Sequence, residues 1–158
     1  MNAELIDPFI SAIYKVIHSI SSMAPTCGEL VPRNSPFTTQ QITIIAGVTG
    51  EIEGVILYGM SGSTVMKIAG TMIGSEVDEL DEMAISAVSE IANMVTGNAI
   101  TILSQKGYNL DITPPSTVMG VDVQISTRAP AMTIPVKTNM GDIEINVSLA
   151  QNIMRKAA

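Results

Sequence analysis

With 158 residues, 46% of them apolar and 15% charged, the chain has the make-up of a single globular domain over 1–158. That length buries roughly 68–70% of the unfolded surface. A net charge of −7 excludes a nucleic-acid backbone partner, which needs a basic stripe, and an anionic membrane surface.

From Ala3 to Met23, the residues Leu5, Ile6, Phe9, Ile10, Ile13, Val16, Ile17 and Ile20 recur at helical spacing and predict an amphipathic helix. Pro8 fits best in its first turn with Asp7 as N-cap. An earlier start would force a kink. The single His18 falls in this helix, where a surface position explains it better than catalysis. With the single Cys27 it offers no zinc-ligand cluster and no metal site. A lone cysteine forms no internal disulfide, and the default location is cytoplasmic. No basic n-region precedes an apolar run, and no uncharged apolar stretch approaches the ~18 residues of a membrane span.

Residues 24–40 carry Pro25, Pro32 and Pro36 without a period and read as a surface loop with room for a short strand. Ile42–Val48 and Ile52–Met60 are β-rich runs around Thr49-Gly50-Glu51, a hairpin signal. A short helix through Val65, Ile68, Ala69, Met72 and Ile73 should stop at Gly74. Before it, Gly59–Thr64 has the first spacing of a phosphate loop when read with Gly54. The required Gly-Lys-Ser/Thr is absent, so a bend and an N-cap account for it, and a nucleotide-binding enzyme is disfavoured.

The acidic linker 76–79 leads into one long helix, about Leu80 to Lys106, with Asp81 and Glu82 at its positive dipole end. At about 100° per residue, Leu80, Ala84, Val88, Ile91, Val95, Ala99 and Ile102 form a core stripe. Ser86, Glu90 and Asn93 share the opposite stripe within about 60°. Gly97 follows one turn beyond Asn93, although glycine in a helix interior costs roughly 0.8–1 kcal/mol relative to alanine. On spacing alone this face reads as a solvated surface. Lys106-Gly107 supplies a cation and a stop.

Short strands flank Pro114-Pro115. Met132, Ile134 and Val136, then Ile143, Ile145, Val147 and Leu149, alternate around Asn139-Met140-Gly141 as an antiparallel hairpin. Pro135 places the first of these strands at a sheet edge. The element order predicts an α+β domain, an antiparallel sheet packed against helices with one long central helix. Aromatics are scarce at 3%, and eleven Met suggest an aliphatic core with thioether filling.

The pattern Ser86-x-x-x-Glu90-x-x-Asn93, with Pro114-Pro115 some twenty residues on, resembles the signature of the CheC/CheX/FliY family of bacterial chemotaxis phosphatases. The likeness extends through NAELIDPFISAI, VSEIANMVTGNA, QKGYNLDITPPSTVMG and the closing strands. A single motif copy is similar to the CheX branch rather than to two-motif CheC. The resemblance implies hydrolysis of the aspartyl-phosphate on a CheY-like response regulator, with Asn93 holding the attacking water and Glu90 pairing with the regulator's lysine. It makes Ser86, Pro114 and Pro115 contacts to that partner, and Gly97, bare of a side chain one turn beyond Asn93, keeps the surroundings of the amide low for the same partner. No cofactor of the chain's own is implied, Mg²⁺ being expected on the regulator. A non-catalytic docking module, of the flagellar-switch adaptor kind, is the alternative. The edge strand and the surplus Met and Ile lead us to expect a homodimer, in keeping with the sheet-mediated pairing of similar proteins.

Overall fold

The computed structural model describes residues 3–153. In chain order the elements are α1 (Ala3–Ser21), β1 (Thr26–Cys27), β2 (Val31–Arg33), β3 (Phe37–Thr38), β4 (Ile42–Gly50), β5 (Ile52–Met60), α2 (Gly62–Ile73), α3 (Glu82–Gln105), β6 (Leu110–Ile112), β7 (Ser116–Met119), β8 (Gln124–Ile125), β9 (Ala131–Thr138) and β10 (Gly141–Gln151). The large sheet runs β1-β9-β10-β5-β4-β6, with β2 also on β9 and β7 also on β4. Every pairing is antiparallel. The architecture is the expected α+β one.

Period-two alternation decides the faces. Ile42, Ile44, Ala46 and Val48 of β4, Ile56, Tyr58 and Met60 of β5, and Ile143, Ile145 and Val147 of β10 point toward the three helices. There they meet Phe9, Ile13 and Ile17 of α1, Val65 and Ile68 of α2, and Val88, Val95 and Ala99 of α3. Each such aliphatic or aromatic burial contributes about 1.5–3 kcal/mol. The opposite face carries a smaller cluster, Phe37, Leu57 and Ala131, beneath the β3–β8 ribbon.

Three sequence expectations are corrected. The first helix starts at Ala3, so Pro8 lies inside it and Asp7 is not its N-cap. Leu5 and Ile6 are buried, and their burial draws the residues before Pro8 into the helix at the loss of one backbone hydrogen bond. Residues 24–40 hold three short strands, β1, β2 and β3, where one at most was expected. Of these, β1 and β2 pair along the outer side of β9 at Val136–Lys137 and Ala131–Thr133. Gly28 N–H donates to Pro135 O between them, at 2.8 Å. The ladder expected to be open is therefore covered from within the chain, and the homodimer loses the argument built on it. Finally, methionine fills little of the core. Met60 and Met140 are buried, whereas Met23, Met72, Met83, Met94 and Met119 are exposed, and Met1 and Met154 lie outside the described residues.

The Gly59–Thr64 turn is the expected bend and N-cap. Ser61 Oγ accepts from Thr64 N–H at 3.2 Å, and Gln41 Oε1 accepts from Gly62 N–H at 2.8 Å. Two donors a phosphate would need are already taken. His18 sits exposed on α1, its ring stacked on Tyr14 at 6.3 Å. No described helix is long and apolar enough to cross a membrane.

Candidate functional site

The site is built on α3, whose ends are both fixed. Asp81, in extended backbone, accepts Ala84 N–H on Oδ1 at 2.9 Å, the N-cap arrangement that satisfies one orphan donor. At the other end Gly107 takes a left-handed φ of +102° and donates its N–H to Ser104 O at 3.0 Å. Asn109 then ties the chain to the β4–β5 turn. It receives Glu51 N–H on its carbonyl and donates its own N–H to Glu51 Oε2 at 2.7 Å. Near the start, Leu80 lies so close to Gly62 that a Cβ there would come within 2.8 Å of it. The helix thus spans β4 from end to end.

Its buried side is broader than the apolar stripe alone suggests. Ala84, Val88, Ile91, Val95 and Ala99 are buried as expected, but so are Ala92, Thr96, Ile100 and Leu103, while Leu80 and Ile102 are half-buried. The core is rotated toward the Thr96 side because α3 packs against α1 and α2 as well as β4, β6 and β7. Thr96 is the instructive residue. Its hydroxyl donates to Ala92 O at 2.8 Å and meets the fully buried Tyr58 hydroxyl at 2.6 Å. With its proton committed to Ala92, Thr96 Oγ1 acts as the acceptor for Tyr58. Burial drives the Tyr58 hydroxyl well above the usual phenol range, an effect only partly offset by that bond. This tether joins β5 to α3 one turn from Asn93. Sequence reading missed it, and the only available signal was a threonine interrupting an apolar face.

Away from that core, Ser86 and Glu90 are exposed, and Asn93 and Gly97 are half-buried on the same stripe. Among the described residues no hydrogen bond or ion pair engages the Glu90 carboxylate or the Asn93 side-chain amide. The amide keeps donors and acceptors to spend, and the carboxylate keeps its charge one turn away. Met83 and Met94, 61% and 37% exposed, border the stripe on one side and give it an apolar margin.

The prolines come from the neighbouring edge. β6 pairs with Val48–Gly50 and β7 with Ile42–Ile45, so Thr113-Pro114-Pro115 spans the break beside Ala46 and Gly47. Proline cannot donate to the ladder. Thr113 replaces it, donating its N–H to Gly47 O at 2.9 Å and accepting Gly47 N–H on Oγ1 at 2.9 Å. A Cβ on Gly47 would lie 2.6 Å from that oxygen, so the close approach requires glycine. Pro114 is exposed and Pro115 half-buried. Helix α3 packs against both β6 and β7, the strands on either side of the prolines. The structure thus holds Ser86, Glu90, Asn93 and Gly97 on one stripe of α3 and carries Pro114 and Pro115 on the neighbouring sheet edge. No group of three or more His, Cys, Asp or Glu side chains able to hold a metal is present among the described residues.

The class is that of an α+β protein, an antiparallel sheet bearing a long, doubly anchored helix whose amide and carboxylate, one turn apart, are unengaged among the described residues. The chain belongs to the CheX family: the profile described as "Chemotaxis phosphatase CheX" matches residues 42–137, which run from β4 through both α3 and the proline segment. It is 29% identical over 151 residues to the CheY-P phosphatase CheX of Thermotoga maritima, covering 94% of this chain and 97% of that protein. It is also similar to the chemotaxis protein CheX of Desulfovibrio desulfuricans, at 25% identity and a TM-score of 0.81, covering 94% of this chain and 99% of that one. A third relative is the CheX-CheY-BeF3-Mg²⁺ complex of Borrelia burgdorferi, at 26% identity and a TM-score of 0.79, covering 92% and 97% of the two chains.

Proposed function

We propose that this protein is a phosphatase that hydrolyses the aspartyl-phosphate of a CheY-like response regulator, using Asn93 to place the attacking water. The observation that carries the reading is the unengaged Asn93 amide one turn from the unengaged Glu90 carboxylate, on a rigidly held helix of a CheX-family chain. Its support from relatives is that one similar protein is a CheY-P phosphatase and another is solved with CheY.

The chemistry asks little of the visiting protein. Water oxygen forms the new bond to phosphorus as the bond to the aspartyl oxygen breaks, releasing inorganic phosphate and leaving the aspartate as carboxylate. Catalysis of such an in-line transfer is mainly positioning and charge stabilisation. The Asn93 amide accepts a hydrogen bond from the water and directs its lone pair along the reaction line. The amide takes no proton, so it acts as an aligner and not as a base. Glu90 pairs with a lysine of the regulator and fixes the angle of entry, a contact that strengthens as the interface excludes water. Ser86 and Pro114-Pro115 form the rim. The Mg²⁺ is the regulator's, and the chain adds no cofactor of its own. The setting of the reaction is the cytoplasm.

Turnover separates this reading from a docking module. Against a panel of phosphorylated receiver domains, substoichiometric protein should release many equivalents of phosphate per site from one cognate member. Protection or occupancy that saturates at one equivalent, with no release beyond the receiver's own rate, would identify an adaptor instead.

A further inference from the structure

We infer that Gly97 is the point at which the bound regulator comes down onto the backbone of α3, as an apolar contact one turn beyond the water-placing amide. The inference rests on the phosphatase reading above and concerns how the partner is seated. Three glycines lie within helices, and the fold explains two of them. A Cβ on Gly62 would meet Leu80 Cδ1 at 2.8 Å, and one on Gly70 would meet Ser75 O at 2.8 Å. Around Gly97 nothing lies within 4 Å of where a Cβ would sit, and its φ is not in the left-handed region. It lies well before the C-cap at Lys106, so termination of the helix does not need it either. Within the chain, alanine would fit and would be the better helix former.

The bare surface is continuous with the site. Gly97 follows Asn93 by one turn on the same stripe, and Thr101 follows one turn later. Thr101 turns its hydroxyl back onto Gly97 O at 2.9 Å, so the carbonyl exposed by the missing side chain is satisfied locally. Exposed Met94 borders the same gap. The floor at Gly97 itself therefore offers Cα–H beside Met94, with its own carbonyl bonded and the open amide of Asn93 one turn back. It suits an aliphatic side chain or a backbone edge of the regulator, not a charged group. The Glu90 contact at the other end of the stripe supplies the charge, and Gly97 sets how closely the surfaces meet.

Opposite signs in stability and activity test this. Gly97→Ala should raise the Tm by about 2–4 °C yet lower kcat/KM toward the phosphorylated regulator about tenfold, mainly through KM, with Gly97→Leu losing more. Wild-type kcat/KM in Gly97→Ala would overturn the inference, as would a lower Tm, which would show that the glycine serves the fold. Asn93→Ala assayed beside it keeps the two ideas apart. If Asn93→Ala is inactive while Gly97→Ala is unimpaired, only the seating inference falls; if Asn93→Ala is fully active, the phosphatase reading falls first.

Discussion

At the scale of single residues, the mechanism proposed above divides its work between an amide and a carboxylate that no described neighbour has claimed. Glu90 should act through charge. Glu90→Ala is expected to raise KM by about tenfold or more, the cost of leaving the regulator's lysine unpaired in the interface, with a smaller effect on kcat. Turnover by the wild type at subsaturating regulator should fall as salt rises from about 0.05 to 0.5 M, because the Debye length shortens below about 10 Å. Steady-state kinetics across that range decide it: a KM indifferent to both salt and mutation would make Glu90 an ordinary solvated residue. The stripe was legible because helical periodicity puts Ser86, Glu90, Asn93 and Gly97 together whatever the fold around them. What the residues do was carried by the family resemblance, since spacing alone describes many solvated helices.

The element that matters is α3, and its position depends on groups outside the motif. Tyr58→Phe removes the β5 tether and leaves Thr96 without its buried donor, so it should destabilise by about 1 kcal/mol. Denaturant unfolding measures that change, and an unchanged midpoint would contradict it. The same residue sets an alkaline limit. Its phenol is held protonated in the fold beyond the pH at which an unfolded tyrosine ionises, near about 10. Stability from this source is intact below that pH. Above it the unfolded state has lost the proton that the native state keeps, so stability should fall by up to about 1.4 kcal/mol per pH unit. Cys27, whose thiol burial also pushes upward, adds in the same direction, so unfolding should be compared between Cys27→Ala and Cys27→Ala/Tyr58→Phe. A milder alkaline loss is expected in the double variant, and identical slopes would refute the assignment. Neither effect was legible in the sequence, because hydroxyl pairing across 38 residues is a product of packing and leaves no local period.

For the whole molecule, local signals succeeded where they were strong. The β4–β5 and β9–β10 hairpins, the stop at Gly74 and the span of α3 follow from alternation, turn chemistry and caps. They failed where distant segments compete. Pro135 does mark a break in pairing on one side of β9, but two- and three-residue strands from the proline-bearing segment 24–40 fill the remaining positions. Strands that short carry no period of their own. Pro8 misled in the same way, since burial of Leu5 and Ile6 outweighs one missing helical bond. The result is a sheet covered on the β9 side, with Ser86 and Glu90 of the motif helix and Pro114 of the proline break exposed.

That arrangement makes the central claim a claim about one amide. The direct measurement is phosphate release from a phosphorylated CheY-like regulator at a hundredfold excess over this protein, comparing wild type with Asn93→Ala after circular dichroism has shown both folded. The account predicts many turnovers by the wild type and a loss of about 100-fold or more in kcat for the variant, with binding of the regulator nearly unchanged. Equal turnover by the two proteins would contradict it.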